Sequence, residues 1–146
     1  MKKYLVIGKP IDHSLSPELH NYWIKQNSIN AFYYKKKLNE NELENIIADV
    51  KQHIISGVNV TIPFKNSIIP YLDELSNDAK TTQSVNTIYL KNKKVIGHNT
   101  DIEGFENAIK KINFDFKNKK IFILGAGGVV PSIIYASMKM NSSEIF

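Results

Sequence analysis

The stretch Lys120-Ile121-Phe122-Ile123-Leu124-Gly125-Ala126-Gly127-Gly128 decides how this chain is read. A β-rich apolar run enters a glycine cluster without a break, and residues 129–140 behind it have the composition of a helix. Strand, glycine turn and helix make the first half of a βαβ unit, and residues 143–146 look like the opening of its second strand. A crossover helix needs that second strand to hold it, so the chain is expected to stop inside a unit rather than at a natural boundary.

The same alternation runs back to the N-terminus. Tyr4, Leu5, Val6 and Ile7 form a buried strand closed by Gly8. Ser16-Pro17-Glu18 opens a helix, with Ser16 as cap and Pro17 at the first helical position, where a missing N–H costs nothing. Leu19, Tyr22, Trp23 and Gln26 follow at helical spacing, and Trp23 and the tyrosines are expected in the core. A second strand fits residues 32–38; Asn39 and Glu42 resemble a capping box for a helix with Leu43, Ile46, Ile47 and Val50 on one face. Val58, Val60 and Ile62 alternate with Asn59 and Thr61, which therefore share a face, and Pro63 ends the strand. A short helix is expected over 67–75, a further capped turn at Ser76, and a hairpin from 85–90 to 94–97 through Lys91-Asn92-Lys93. Thr100-Asp101-Ile102-Glu103 is the cleanest capping box, heading a helix with Phe105, Ala108, Ile109 and Ile112 as its buried stripe. The fold class is thus α/β with a mostly parallel sheet, divided into residues 1–100 and a second unit, 101–146, made of a linker helix and one strand-helix pair.

Composition narrows the function. Hydrophobic residues at 42% and charged residues at 23% fit an ordinary globular domain. Without cysteine there is no disulfide, thiolate nucleophile or Cys-based zinc site. The four histidines have no metal-ligand spacing. The apolar run after Met1-Lys2-Lys3 stops at Gly8, too short for a signal peptide, and nothing approaches a membrane span, so a cytoplasmic protein is expected. All 19 basic residues are lysine and the net charge is +5. The lysines are scattered, and Lys35, Lys36 and Lys37 would alternate between faces of a strand, so no phosphate-tracking stripe forms and no nucleic-acid partner is expected.

Several residues are candidates for chemistry, each with a plainer alternative. Gly125, Ala126, Gly127 and Gly128 stand where a dinucleotide's pyrophosphate would meet a helix N-terminus, but a third glycine of a G-x-G-x-x-G pattern is replaced by Val130; the plainer account is a turn packing helix on strand. Ser14 and Ser16, beyond the first strand, suit a small carboxylate, or are a cap and a solvated serine. Asn59, Thr61 and Lys65 form a polar set after a strand, although a lysine there is usually solvated. Asn86 interrupts an apolar strand and needs a partner, either backbone or ligand. Asp101 sits in a first helical turn, where the dipole favours its charge and where simple capping would also explain it.

Read together, G-K-P-I-D-H-S-L-S-P-E-L-H-N (8–21), G-V-N-V-T-I-P-F-K (57–65), S-V-N-T (84–87), G-H-N-T-D-I-E-G-F (97–105) and L-G-A-G-G (124–128) closely resemble the shikimate dehydrogenase family, in order and spacing, over essentially the whole chain. The resemblance implies an N-terminal shikimate-binding catalytic domain followed by the start of a Rossmann-type NADP-binding domain. It implies Lys65 and Asp101 as the catalytic pair, Ser14 and Ser16 on the substrate carboxylate, and Asn59, Thr61 and Asn86 lining the same pocket. Gly125, Ala126, Gly127, Gly128 and Val129 would meet the NADP pyrophosphate, and Asp78 would approach the cofactor. The implied activity is reversible NADPH-dependent reduction of 3-dehydroshikimate to shikimate, in aromatic amino acid biosynthesis, by a monomer or homodimer with small-molecule partners. Val129-Val130-Pro131-Ser132 depart from the small and basic residues usual in the family after the double glycine. Alternatives are a quinate-accepting relative with relaxed cofactor use and a non-catalytic shikimate-binding module.

Overall fold

A computed structural model describes residues 1–146. Strand β1 (Lys2–Gly8) buries Leu5, Val6 and Ile7 together, because both faces of the sheet are covered there. On one face Leu5 and Ile7 join a core of 16 buried residues, to which helix α2 (Leu43–Lys51) contributes Leu43, Ile46, Ile47 and Val50, as the periodicity requires. On the other face Val6 meets only Ile11 and Tyr33, with Ile24 of helix α1 (Ser16–Gln26) against them.

That imbalance corrects one expectation. No residue of α1 is buried, and Leu19, Tyr22 and Trp23 are exposed rather than in the core. Helical spacing identifies an apolar stripe but not what covers it. Tyr33, on strand β2 (Ala31–Lys37), is buried as expected.

The remaining elements are β3 (Gly57–Val60), α3 (Phe64–Ser67), β4 (Glu74–Leu75), α4 (Asn77–Thr82), β5 (Thr87–Lys91), β6 (Lys94–His98), α5 (Asp101–Lys111), β7 (Lys120–Ile121), α6 (Val130–Lys139) and β8 (Glu144–Ile145). Six strands form one sheet in the order β2-β1-β3-β5-β6-β4, and β7 pairs with β8 in a separate parallel pair. Strands β2, β1 and β3 run parallel; β5 is antiparallel to both β3 and β6. The sheet is mixed, with parallel pairs in the majority. The hairpin turns at Asn92 and Lys93, both at positive φ (51° and 63°), the pairing that a tight two-residue hairpin demands.

This direction change positions the site. The chain leaves β1 and β3 at one rim, enters β5 at that rim, and leaves β6 there again. Residues 8–16, 61–65, 86 and 99–101 are thereby gathered along one edge, whereas the hairpin turn lies at the other.

Local departures from expectation have physical causes. The Asn39–Glu42 box is present, with the Glu42 carboxylate accepting the Asn39 N–H at 2.7 Å. Ser16 does not cap α1; it begins the helix, and its N–H donates to the Ser14 hydroxyl at 3.3 Å. Thr100 makes no side-chain cap either, because its hydroxyl is engaged by Asn86. The buried stripe of α5 starts earlier than expected: Ile102 is fully buried, Phe105 and Ile109 are half-buried, and Ala108 and Ile112 are exposed. Residues 67–75 form a 3-10 turn (Ile69–Tyr71) and the strand β4 instead of one helix, since Pro70 and the pairing of Glu74 with Ile96 interrupt it. Ile62 lies outside the core, 52% exposed. No helix is long and apolar enough to cross a membrane.

Candidate active site

Lys65 is held by its neighbours before its own side chain acts. Phe64 and Ile68 on either side are buried, and the Lys65 carbonyl accepts the Val85 N–H at 2.8 Å. Its ammonium Nζ lies 2.6 Å from Oδ2 of Asp101, the first residue of α5. The two side chains are only 15% and 23% exposed, a setting in which a charge-assisted hydrogen bond is short and strong.

The second carboxylate oxygen has its own donor. Asn86 Nδ2 donates to Asp101 Oδ1 at 2.8 Å and to Thr100 Oγ1 at 2.9 Å. Asn86 Oδ1 in turn accepts the Thr100 N–H at 3.0 Å and the Thr87 hydroxyl at 3.0 Å. The backbone N–H of Thr100 can only donate, so the amide of Asn86 has one orientation and Asp101 is held from both oxygens. Lys65 keeps ammonium protons to spare for a ligand.

Asn59 is engaged within the protein through both ends of its amide. Its Oδ1 accepts the Tyr33 hydroxyl at 2.7 Å, and Nδ2 donates to Thr87 Oγ1 at 3.1 Å and to the Asn86 carbonyl at 3.3 Å. Both amide protons are spent inside the protein, which makes Asn59 a brace beneath Asn86. Burial pushes the Tyr33 phenol up, which keeps it a donor. His20 stacks on the Tyr33 ring at 4.1 Å, and burial lowers its pKa. Thr61 follows β3 on the same rim, its N–H bonded to the Ile7 carbonyl at 3.0 Å. Ser14 and Ser16 are half-exposed at the mouth of α1, and the Ser16 hydroxyl has no partner within the chain.

The glycine turn reaches this cluster. A Cβ built on Gly128 would lie 4.0 Å from Lys65 Cδ, and Ser84 Oγ approaches the Gly128 carbonyl at 3.4 Å. Gly125 has φ +123°, which L side chains rarely adopt. Nothing would meet a Cβ at Gly125 or Gly127, and the N–H groups of residues 125–129 make no backbone hydrogen bond. Free donors in an open turn at the positive end of the ten-residue α6 fit a diphosphate. Between Lys65 and Gly128 lies a cavity of about 460 Å³, edged by Ile62, Asn66, Gln83 and Pro131.

Asp78 stands in the first turn of α4; the Glu106 hydrogen bond first, with the charge of Asp78 adding to it, raises the pKa of Lys139 at the end of α6.

A family model described as "Shikimate dehydrogenase substrate binding domain" matches residues 6–88. The chain belongs to the shikimate dehydrogenase family. The shikimate dehydrogenase (NADP(+)) of Pelagibacter ubique (strain HTCC1062) is 55% identical to it over 145 residues, covering 99% of this chain and 55% of the relative. The crystal structure of shikimate dehydrogenase from Aquifex aeolicus matches with a TM-score of 0.92 at 39% identity, covering 99% of this chain and 55% of that one. That of the Thermus thermophilus enzyme in complex with NADP(H) and shikimate matches at 0.89 and 28% identity, with coverage of 99% and 55%. The chain thus spans about half the length of the relatives it matches.

The structure brings Lys65, Asp101, Asn86, Asn59 and the glycine turn together, with Thr61 and the two serines along the same rim. Thr87, Tyr33 and Asn99 were missed by the sequence reading. The available signal was Asn99 itself, a polar residue between a strand and a helix start.

Proposed function

We propose that the protein catalyses the reversible reduction of 3-dehydroshikimate to shikimate with NADPH. The observation behind this is the Lys65–Asp101 pair at 2.6 Å, placed against the glycine turn that would receive the cofactor's diphosphate. NADPH, when bound, supplies the hydride. The N–H groups at Gly127, Gly128 and Val129 would hold its pyrophosphate, at the positive end of α6.

The residues of this chain handle the proton and the alignment. Lys65 Nζ gives a proton to the ketone oxygen as negative charge gathers there, and takes it back when the alcohol is oxidised. Asp101 aims the ammonium, with Asn86 fixing the carboxylate's other oxygen. Ser14 and Ser16 would bind the substrate carboxylate, Thr61 a ring hydroxyl, and Asn86 another in exchange for one of its internal hydrogen bonds. The same reading places the protein in the cytoplasm, as a monomer or homodimer, with small molecules and neither nucleic acid nor membrane as partners.

The test is a shikimate-dependent NADP+ reduction assay on the whole gene product, beside a calorimetric titration with shikimate. Turnover that Lys65→Ala abolishes supports the proposal. Shikimate binding without turnover would leave a binding module in its place, and quinate turned over faster than shikimate would reassign the substrate.

A further inference from the structure

Five polar residues of this protein are buried, and four of them meet at one point, three by their side chains and Ser84 by its backbone carbonyl. Asn99, 1% exposed, lies between β6 and α5. Its Nδ2 faces Ser132 Oγ at 2.8 Å, the Ser84 carbonyl at 3.0 Å and Thr82 Oγ1 at 3.1 Å. Its Oδ1 accepts the Asp101 N–H at 2.9 Å. Thr82, Ser84 and Ser132 are themselves buried. They belong to three places: the end of α4, the segment entering β5, and the first turns of the helix behind the glycine turn.

We infer that Asn99 is a positioning residue for the Lys65–Asp101 pair. This rests on the function proposed above. An amide has a donor end and an acceptor end, and here each has a single possible direction. Turning the amide over would set its N–H2 against the Asp101 N–H and its oxygen against the Ser84 carbonyl. The amide therefore pins the first backbone unit of α5, from which the Asp101 carboxylate projects. The normal helix cap is absent: the Thr100 hydroxyl is occupied by Asn86 and makes no cap bond. Asn99 supplies an acceptor for another donor of that first turn, the Asp101 N–H, from inside the protein. Because Nδ2 also reaches Ser132, the same side chain fixes Asp101 relative to the helix that follows Gly128. A displacement of about 1 Å in a reacting group is enough to cost a hundredfold in rate.

The experiment compares Asn99→Ala, Asn99→Asp and wild type in the whole gene product, measuring kcat, KM for shikimate, NADP+ affinity and melting temperature. Asn99→Ala is expected to lower kcat at least tenfold, with NADP+ affinity within threefold of wild type. Asn99→Asp, which retains an acceptor for the Asp101 N–H, recovers part of that loss. A purely structural residue would lower the melting temperature and leave kcat, assayed well below it, within twofold; that result overturns the inference. So does an Asn99→Asp variant that folds and is no better than Asn99→Ala. Should Asn99→Ala not fold, the pair Thr82→Val with Ser132→Ala removes two of the three Nδ2 partners, and kcat is expected to fall at least threefold; an unchanged kcat there overturns the inference. A wild type without activity on shikimate overturns the proposed function and this inference with it, whereas an active wild type and an equally active variant overturn the inference alone.

Discussion

A methyl group built on Gly128 would touch Cδ of Lys65 at 4.0 Å, so the glycine turn and the lysine that would deliver the proton are neighbours in space although 63 positions apart (128 − 65). A dinucleotide seated on that turn would extend over the ammonium group. Lys65→Ala is therefore expected to lower kcat by about 10²–10⁴-fold, the usual worth of a positioned acid or base, with a smaller change in shikimate KM. Steady-state rates in both directions check it; unchanged turnover removes Lys65 from the chemistry.

Asp101→Asn tests whether both carboxylate oxygens are needed. An amide has one acceptor oxygen. If that oxygen faces Lys65, its N–H2 confronts Nδ2 of Asn86, now 2.8 Å from Oδ1, and two donors repel. The expected result is a loss of about 10²-fold or more in kcat with the fold intact by circular dichroism. A variant as fast as wild type would mean that Asp101 only caps its helix.

The pair was legible from sequence because the segments around it have a fixed order. Its supports were not. Asn59 shares a face with Thr61, as the two-residue repeat requires, yet alternation does not reveal that Tyr33 and Thr87 consume its hydrogen-bonding groups. Thr100 with Glu103 has the letters of a capping box, and only the arrival of Asn86, just ahead of β5, diverts the threonine hydroxyl. Trp23 has helical spacing with Leu19, but the sheet face beneath α1 offers three buried residues against sixteen on the other side. Local pattern gives element type and facing; competition from distant partners decides the rest.

Gly97 is a packing constraint on β6. A Cβ there would lie 2.5 Å from Leu72 Cδ1, 2.8 Å from Leu75 Cδ2 and 2.9 Å from Val85 Cγ2. Val85 is fully buried and its branched side chain has little freedom to yield. Gly97→Ala is expected to destabilise the protein by about 1–3 kcal/mol through overpacking. Urea unfolding measures this, and an equally stable variant would show that the leucines move aside freely.

Asp73 links stability to acid pH. Its carboxylate accepts the Val95 N–H at 2.7 Å and pairs with Lys51 at 3.0 Å; the backbone hydrogen bond first, then the lysine, hold its pKa below the ordinary 3.8. In the unfolded chain the group regains its ordinary value. The stabilisation is thus fully present above about pH 4 and is lost as pH falls through the lower folded value. Asp73→Asn should reduce the urea midpoint near pH 6, and the gap from wild type should narrow in strong acid. A constant gap across that range would exclude the carboxylate's charge as the cause.

The reversal of strand direction at β5 has a practical corollary. The bend at Asn92 and Lys93 sits on the margin of the sheet opposite the Lys65–Asp101 pair and the residues around it. New termini, a fluorescent label or a few extra residues could be introduced there while the chemistry at the opposite margin stays undisturbed.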